Sequence, residues 1–82
     1  MRIPLIVSSR AQAGIEYPRV ALRSGRWKFE HNVTSSEVKV KTPDSHVELH
    51  EELVLTEHTD VSIVCMNTGN EHSITVYACL SV

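Results

Sequence analysis

The sequence predicts an all-β domain: a small sandwich, a jelly-roll-like fold or a partly open barrel of about six or seven short antiparallel strands. Three observations lead there. Valine occurs eleven times against four aromatic residues, and β-branched side chains suit a pleated surface better than a helix. Apolar and polar residues alternate over short runs, the period of a half-buried strand. Turn-forming clusters then punctuate the chain, at Ser24-Gly25, Thr42-Pro43-Asp44-Ser45 and Asn67-Thr68-Gly69-Asn70. With 82 residues the chain reads as a single domain spanning 1–82, since domains start at roughly 50 residues.

Ile3, Leu5 and Val7 alternate in the first expected strand, and Pro4, which has no N–H, implies that the strand lies at a sheet edge or begins outside the ladder. Residues 8–14 read as loop. Val20 and Leu22 alternate with Arg19, Ala21 and Arg23, and Trp27, Phe29 and His31 share a face beyond the Ser24-Gly25 turn. Residues 19–31 are therefore expected to form a hairpin with one wet face. Residues 37–41 make the cleanest short strand, followed by the turn at 42–45. Over 46–54 the alternation of Val47 and Leu49 breaks at Glu51 and resumes at Leu53 and Leu55. Extended structure with a bulge near His50-Glu51 is favoured there over one or two helical turns.

The last third alternates most regularly: Val61, Ile63 and Cys65, then Ile74, Val76, Ala78, Leu80 and Val82. A hairpin centred on Thr68-Gly69 would set Ile63 opposite Ile74 and Val61 opposite Val76, so that both strands offer one apolar face. In that hairpin Cys65 and Cys79 would be offset by about 24 Å, at about 3.4 Å per residue. A disulfide spans only about 4.4–6.8 Å between Cα atoms, so both cysteines are expected reduced. Val61 and Ile63 point one way, while Val64 and Met66 point the other. Such a strand is expected to be covered on both faces, by a second sheet or by a neighbouring subunit. Val64 and Met66, with Tyr77, Leu80 and Val82 of the final strand, are the candidate interface residues.

Net charge is −2, which argues against a dedicated nucleic-acid binder. Its distribution is sharply divided. Residues 1–41 hold every lysine and arginine and only Glu16, Glu30 and Glu37 among the acids. Residues 42–82 hold the other seven acids and no lysine or arginine. Either the two halves fold against each other and their charges interleave, or the subunit is electrically two-faced and docks on copies of itself or a charged partner. The apolar run 3–7 is far too short for a secretory core or a membrane span, so an intracellular or virion setting is expected. Asn32-Val33-Thr34 matches a glycosylation sequon, which matters only in a secretory compartment.

His46, Glu48 and His50 would share a face of an extended segment, with His58 and Asp60 nearby. Imidazole with carboxylate is zinc-competent, but the spacing matches no zinc motif, so no metal and no cofactor is expected. Arg19, Arg23, Arg26 and Lys28 form a candidate basic contact face close to Tyr17, Trp27 and Phe29. Basic residues interleaved with aromatics suit single-stranded nucleic acid. Alternation, however, sets Trp27 and Phe29 opposite Arg26 and Lys28, which makes the rings core. No phosphate loop or nucleophile elbow is present, and there are only three glycines. No catalytic residue is expected.

The functional expectation is a non-enzymatic structural or assembly protein. It would be a homo-oligomer, or bind another structural protein, in the style of a virion accessory or capsid-decorating subunit, with no membrane role. The alternatives are a small protein that binds and inhibits a macromolecular complex, and a small nucleic-acid-binding barrel.

Overall fold

The computed structural model describes residues 1–11, 14–33, 38–66 and 72–81. Among these, eight strands form: β1 (Arg2–Ala11), β2 (Val20–Leu22), β3 (Gly25–His31), β4 (Val38–Lys41), β5 (His46–Glu48), β6 (Leu53–Leu55), β7 (Thr59–Cys65) and β8 (His72–Ser81). They make two antiparallel four-stranded sheets, ordered β1-β8-β3-β6 and β2-β7-β4-β5. The all-β expectation holds. No helix among the described residues is long and apolar enough to cross a membrane.

The strand pairs are nested. β4 pairs with β5, β3 with β6, β2 with β7 and β1 with β8. The chain is thus one long hairpin, with its tip at residues 42–45, rolled over so that successive pairs fall in alternate sheets. That is the winding of a jelly roll. The two arms of the hairpin are residues 1–41 and 42–82 in outline, the same division that separates basic from acidic residues. Across the arms Arg26 lies 3.3 Å from Glu52 and Lys39 is the register partner of Glu48, whereas Arg2–Glu30 and Glu16–Lys41 are ion pairs within the first arm. Interleaving, the simpler of the two expectations, describes the Arg26–Glu52 contact.

The tip is a turn held from within. Thr42 N–H donates to the Ser45 carbonyl at 2.8 Å, Thr42 Oγ1 donates to that carbonyl at 3.1 Å, and Ser45 N–H donates to Thr42 Oγ1 at 3.0 Å. Pro43 supplies the fixed φ that such a turn favours.

Two expected hairpins are corrected. β7 and β8 are not neighbours; β7 lies between β2 and β4, and β8 between β1 and β3. The turn proposed at 67–70 falls outside the described residues. Residues 19–31 are likewise not a hairpin, because β2 joins β7 while β3 joins β8 and β6. The reason is common to both. Alternation reports which face of a strand is buried, and in a sandwich both sheets bury the face that points at the other. Ile63 and Ile74 are both buried, yet across the gap between sheets.

The broken phase at 46–54 is the corner where the chain changes sheet. β5 ends in one sheet, Glu51 N–H closes a turn onto the Glu48 carbonyl at 3.0 Å, and β6 begins in the other. Leu49 and Leu53 are both buried on either side of the corner.

The core is apolar throughout. Trp27, Leu22, Val38, Val40, Val61, Ile63 and Val76 are its largest fully buried side chains, with Phe29, Leu55 and Leu80 packed at its margin. The only indole N–H is satisfied inside it by the Arg23 carbonyl, at 3.0 Å. The expected reading of Trp27 and Phe29 as core holds. Both cysteines are free, Cys65 buried and Cys79 half-buried. Cys65 faces the core from β7, whereas Cys79 sits on the outer face of the other sheet, between Arg2 and Lys28. Placement in separate sheets, rather than an offset along a hairpin, keeps the thiols apart.

Candidate functional site

A cleft of about 850 Å³ opens where the two sheets part, between the 42–45 turn and the 56–58 turn. Its floor is the start of β7. Here Glu16 and Lys41 form an ion pair at 2.8 Å across the outer face of the β2-β7-β4-β5 sheet. Ser62, the register partner of Lys41, is buried beneath it. The Lys41 hydrogen bond holds the Glu16 carboxyl below its ordinary range, aided by the charges of Lys41 and Arg19 and by a bond from Ser62, against some desolvation. Asp44, Glu57 and Asp60 line the rest of the rim with Arg19 and His58, so the cleft is acidic once the Glu16–Lys41 pair is set aside. One wall is β6, which among the described residues pairs with β3 on one side only.

A second, shallower hollow of about 330 Å³ is lined by Lys28, Phe29, His31 and residues 49–52. Beside it, Glu48, His50 and Glu51 bring one ligand atom each within 4.8 Å of one another. His50 Nδ1 lies 3.4 Å from Glu48 Oε2, and Glu51 Oε1 accepts from the Glu48 N–H at 3.2 Å. These donors have zinc-competent chemistry, but they are near neighbours in sequence, the end of β5 and the exposed turn that follows it. The structure replaces the expected His46 with Glu51, because the sheet-changing corner folds residue 51 back onto residue 48.

The candidate interface residues do not form one patch. Val64 and Met66 lie on the outer face of one sheet, where Val64 sits beside Glu16 and Lys39. Tyr77 lies on the outer face of the other, beneath the Arg2 guanidinium at 3.8 Å from the ring centroid. Leu80 points inward against Trp27. Val82 falls outside the described residues. The outward side of β7 is covered in part by its own chain, through the ion pair above Ser62, rather than by a further apolar layer. Met66 stays exposed.

The basic set is divided as well. Arg26 and Lys28 project from the outer face of β3, and Arg26 is engaged by Glu52. Arg19 belongs to the cleft, and Arg23 caps the β2–β3 connection, its carbonyl bound to Trp27. Arg2, absent from that set, joins the β3 face instead by donating from Nε to Glu30 at 3.0 Å. In the sequon, the Asn32 side-chain oxygen accepts from the Thr75 N–H at 2.9 Å, which spends it on β8.

Sequence reading missed the cleft and the Glu16–Lys41 pair. Neither has a local signal, because both depend on how the arms wind. Comparison with protein-family models, curated proteins and solved structures finds no match to this chain.

Proposed function

We propose that the protein is non-enzymatic and acts by contact, as a structural or assembly subunit whose copies associate, in the manner of a virion accessory or capsid-decorating protein. One observation carries this reading: among the described residues β1, a ten-residue strand, forms an edge of its sheet and has a ladder partner on one side only. A long edge strand presents backbone donors and acceptors to another chain. The interior supports the same reading, since the core cluster is apolar and tightly gathered, which leaves the outside of the sandwich for recognition. Jelly rolls serve in viral capsid and lectin domains, although function on such folds resides in the surface each one carries.

Mass in solution across a wide range of concentration tests the proposal. A stable oligomer supports it, and a monomer at millimolar concentration overturns it. The acidic cleft favours a second reading, a monomer that captures another macromolecule. Nucleic-acid binding draws less support, because Arg19, Arg23, Arg26 and Lys28 are spread over different parts of the surface.

A further inference from the structure

Among the described residues, the sheet β1-β8-β3-β6 has two open edges, β1 and β6. Each carries one strongly exposed valine: Val7 is 65% exposed and Val54 59%. Both point to the outer face. Val7 is the register partner of Thr75, next to inward-facing Val76; Val54 is the partner of Arg26, next to inward-facing Trp27 and Leu53. Thus the two margins of one sheet offer the same kind of side chain on the same side.

We infer that copies of this chain join edge to edge, with β1 of one copy adding antiparallel to β6 of the next. This rests on the reading that copies associate. If Val7 is set opposite Val54, Ile6 falls opposite Leu55 and Ser8 opposite Leu53. The parity is correct, since Ile6, Leu53 and Leu55 all turn inward. The outer-face valines become a cross-strand pair, which β-branched residues favour. The cleft along β6 leaves room for an incoming strand. Beyond Leu55 the acceptor copy continues into Glu57 and Asp60 on the cleft rim. The start of β1 carries no acid to repel them, its Arg2 being held by Glu30 and Tyr77 of its own copy. Pro4, without an N–H, lies beyond the short ladder that β6 can offer, so its missing donor is not needed.

Such a contact is heterologous: two different edges meet, so copies form a closed ring or an open filament rather than a two-fold dimer. Val7→Lys and Val54→Lys test it, both at exposed positions outside the core, with circular dichroism confirming that each variant is folded. Sedimentation should show each variant alone associating about tenfold or more weakly than the parent, since a lysine on an edge opposes strand pairing. An equimolar mixture should recover a dimer and no larger species, because each variant keeps the one edge that the other lacks. Should either variant misfold, Val7→Thr and Val54→Thr give the same comparison with a smaller effect. A parent that associates while Val54→Lys changes nothing, or a mixture that recovers no dimer, overturns the edge contact but leaves assembly standing. A parent that stays monomeric overturns both.

Discussion

Trp27 Nε1 donates to the Arg23 carbonyl at 3.0 Å from a side chain with no exposed surface. The bond ties the centre of the core to the connection between β2 and β3, where the chain passes from one sheet to the other. Trp27→Phe removes the donor, leaves that carbonyl unsatisfied and opens a void beside Leu53 and Leu80. Those losses together predict a destabilisation of about 2–4 kcal/mol. Urea unfolding should show a lower midpoint at unchanged slope. A shift of a few tenths of a kcal/mol would mean that the bond and the packing are dispensable.

Gly25 sits at the same connection with φ of +146°, a conformation that side chains other than hydrogen rarely adopt. A Cβ there would approach Leu80 Cδ1 to 2.6 Å. Gly25→Ala should therefore cost about 1–3 kcal/mol, through backbone strain and through displacement of Leu80. A double-mutant cycle with Leu80→Ala separates the two causes. The double variant should be more stable than the sum of the singles implies, since the second change removes the clash and leaves only the backbone strain. Strict additivity would assign the whole effect to φ.

Which faces are buried was legible for Val20 and Leu22, Val38 and Val40, Val61 and Ile63, and Ile74 and Val76, which all turn inward as their alternation indicates. In β1 it was not, because a register shift between Pro4 and Ile6 buries Leu5 and Ile6 together and turns Val7 outward, and the strand runs on to Ala11 where loop was expected. Which strands are neighbours was not legible. A two-residue period is satisfied equally by a hairpin and by two strands facing each other across a sandwich, so Ile63 and Ile74 pointed to a ladder that does not exist. The loss of phase at Glu51 did mark a real break, but as a corner between sheets instead of a bulge within one. The cleft lay beyond sequence reasoning for the same cause. Glu16 and Lys41 meet only because both flank β7, one on each side, and nothing local to either residue indicates that.

The Glu16–Lys41 pair gives a pH signature. The Glu16 carboxyl is held below the ordinary value of 4.5, so its contribution to stability is complete above the unfolded-state pKa. That contribution is lost as pH falls through the lower folded-state value. Carbon-detected NMR titration should place the Glu16 midpoint below 4.5. Lys41→Met should move it back upward, and Glu16→Gln should flatten the acid limb of the stability curve. A midpoint unmoved by Lys41→Met would show that the lysine does not set it.

The two thiols should differ in reactivity. Burial pushes the Cys65 thiol up. Burial also raises that of Cys79, and Glu30 adds to the effect. Thiolate is therefore scarce at neutral pH for both, and alkylation of the native protein should be slow and accelerate with pH. Cys79, half-buried on an outer face, should react first; Cys65, inside the sandwich, should react only on unfolding. Peptide mapping by mass spectrometry resolves the order, and equal native rates would contradict the buried placement of Cys65.

The charge division at residue 41 makes its own prediction, because the jelly roll sets the basic arm against the acidic one. Lys39 and Glu48 are register partners on β4 and β5, both half-buried, immediately beside the hairpin tip where the arms begin. Opposite charges at directly paired positions contribute about 0.2–1 kcal/mol, and like charges there are unfavourable by a similar amount. Lys39→Glu should destabilise by about 1 kcal/mol by placing two carboxylates face to face. Glu48→Lys should do the same with two ammonium groups, and the exchanged pair should recover most of the loss. Raising salt should shrink all three differences, since these groups remain in contact with solvent. An exchanged pair no more stable than either single variant would show that the arms are matched by their apolar faces alone, and that the segregation of charge along the chain has another origin.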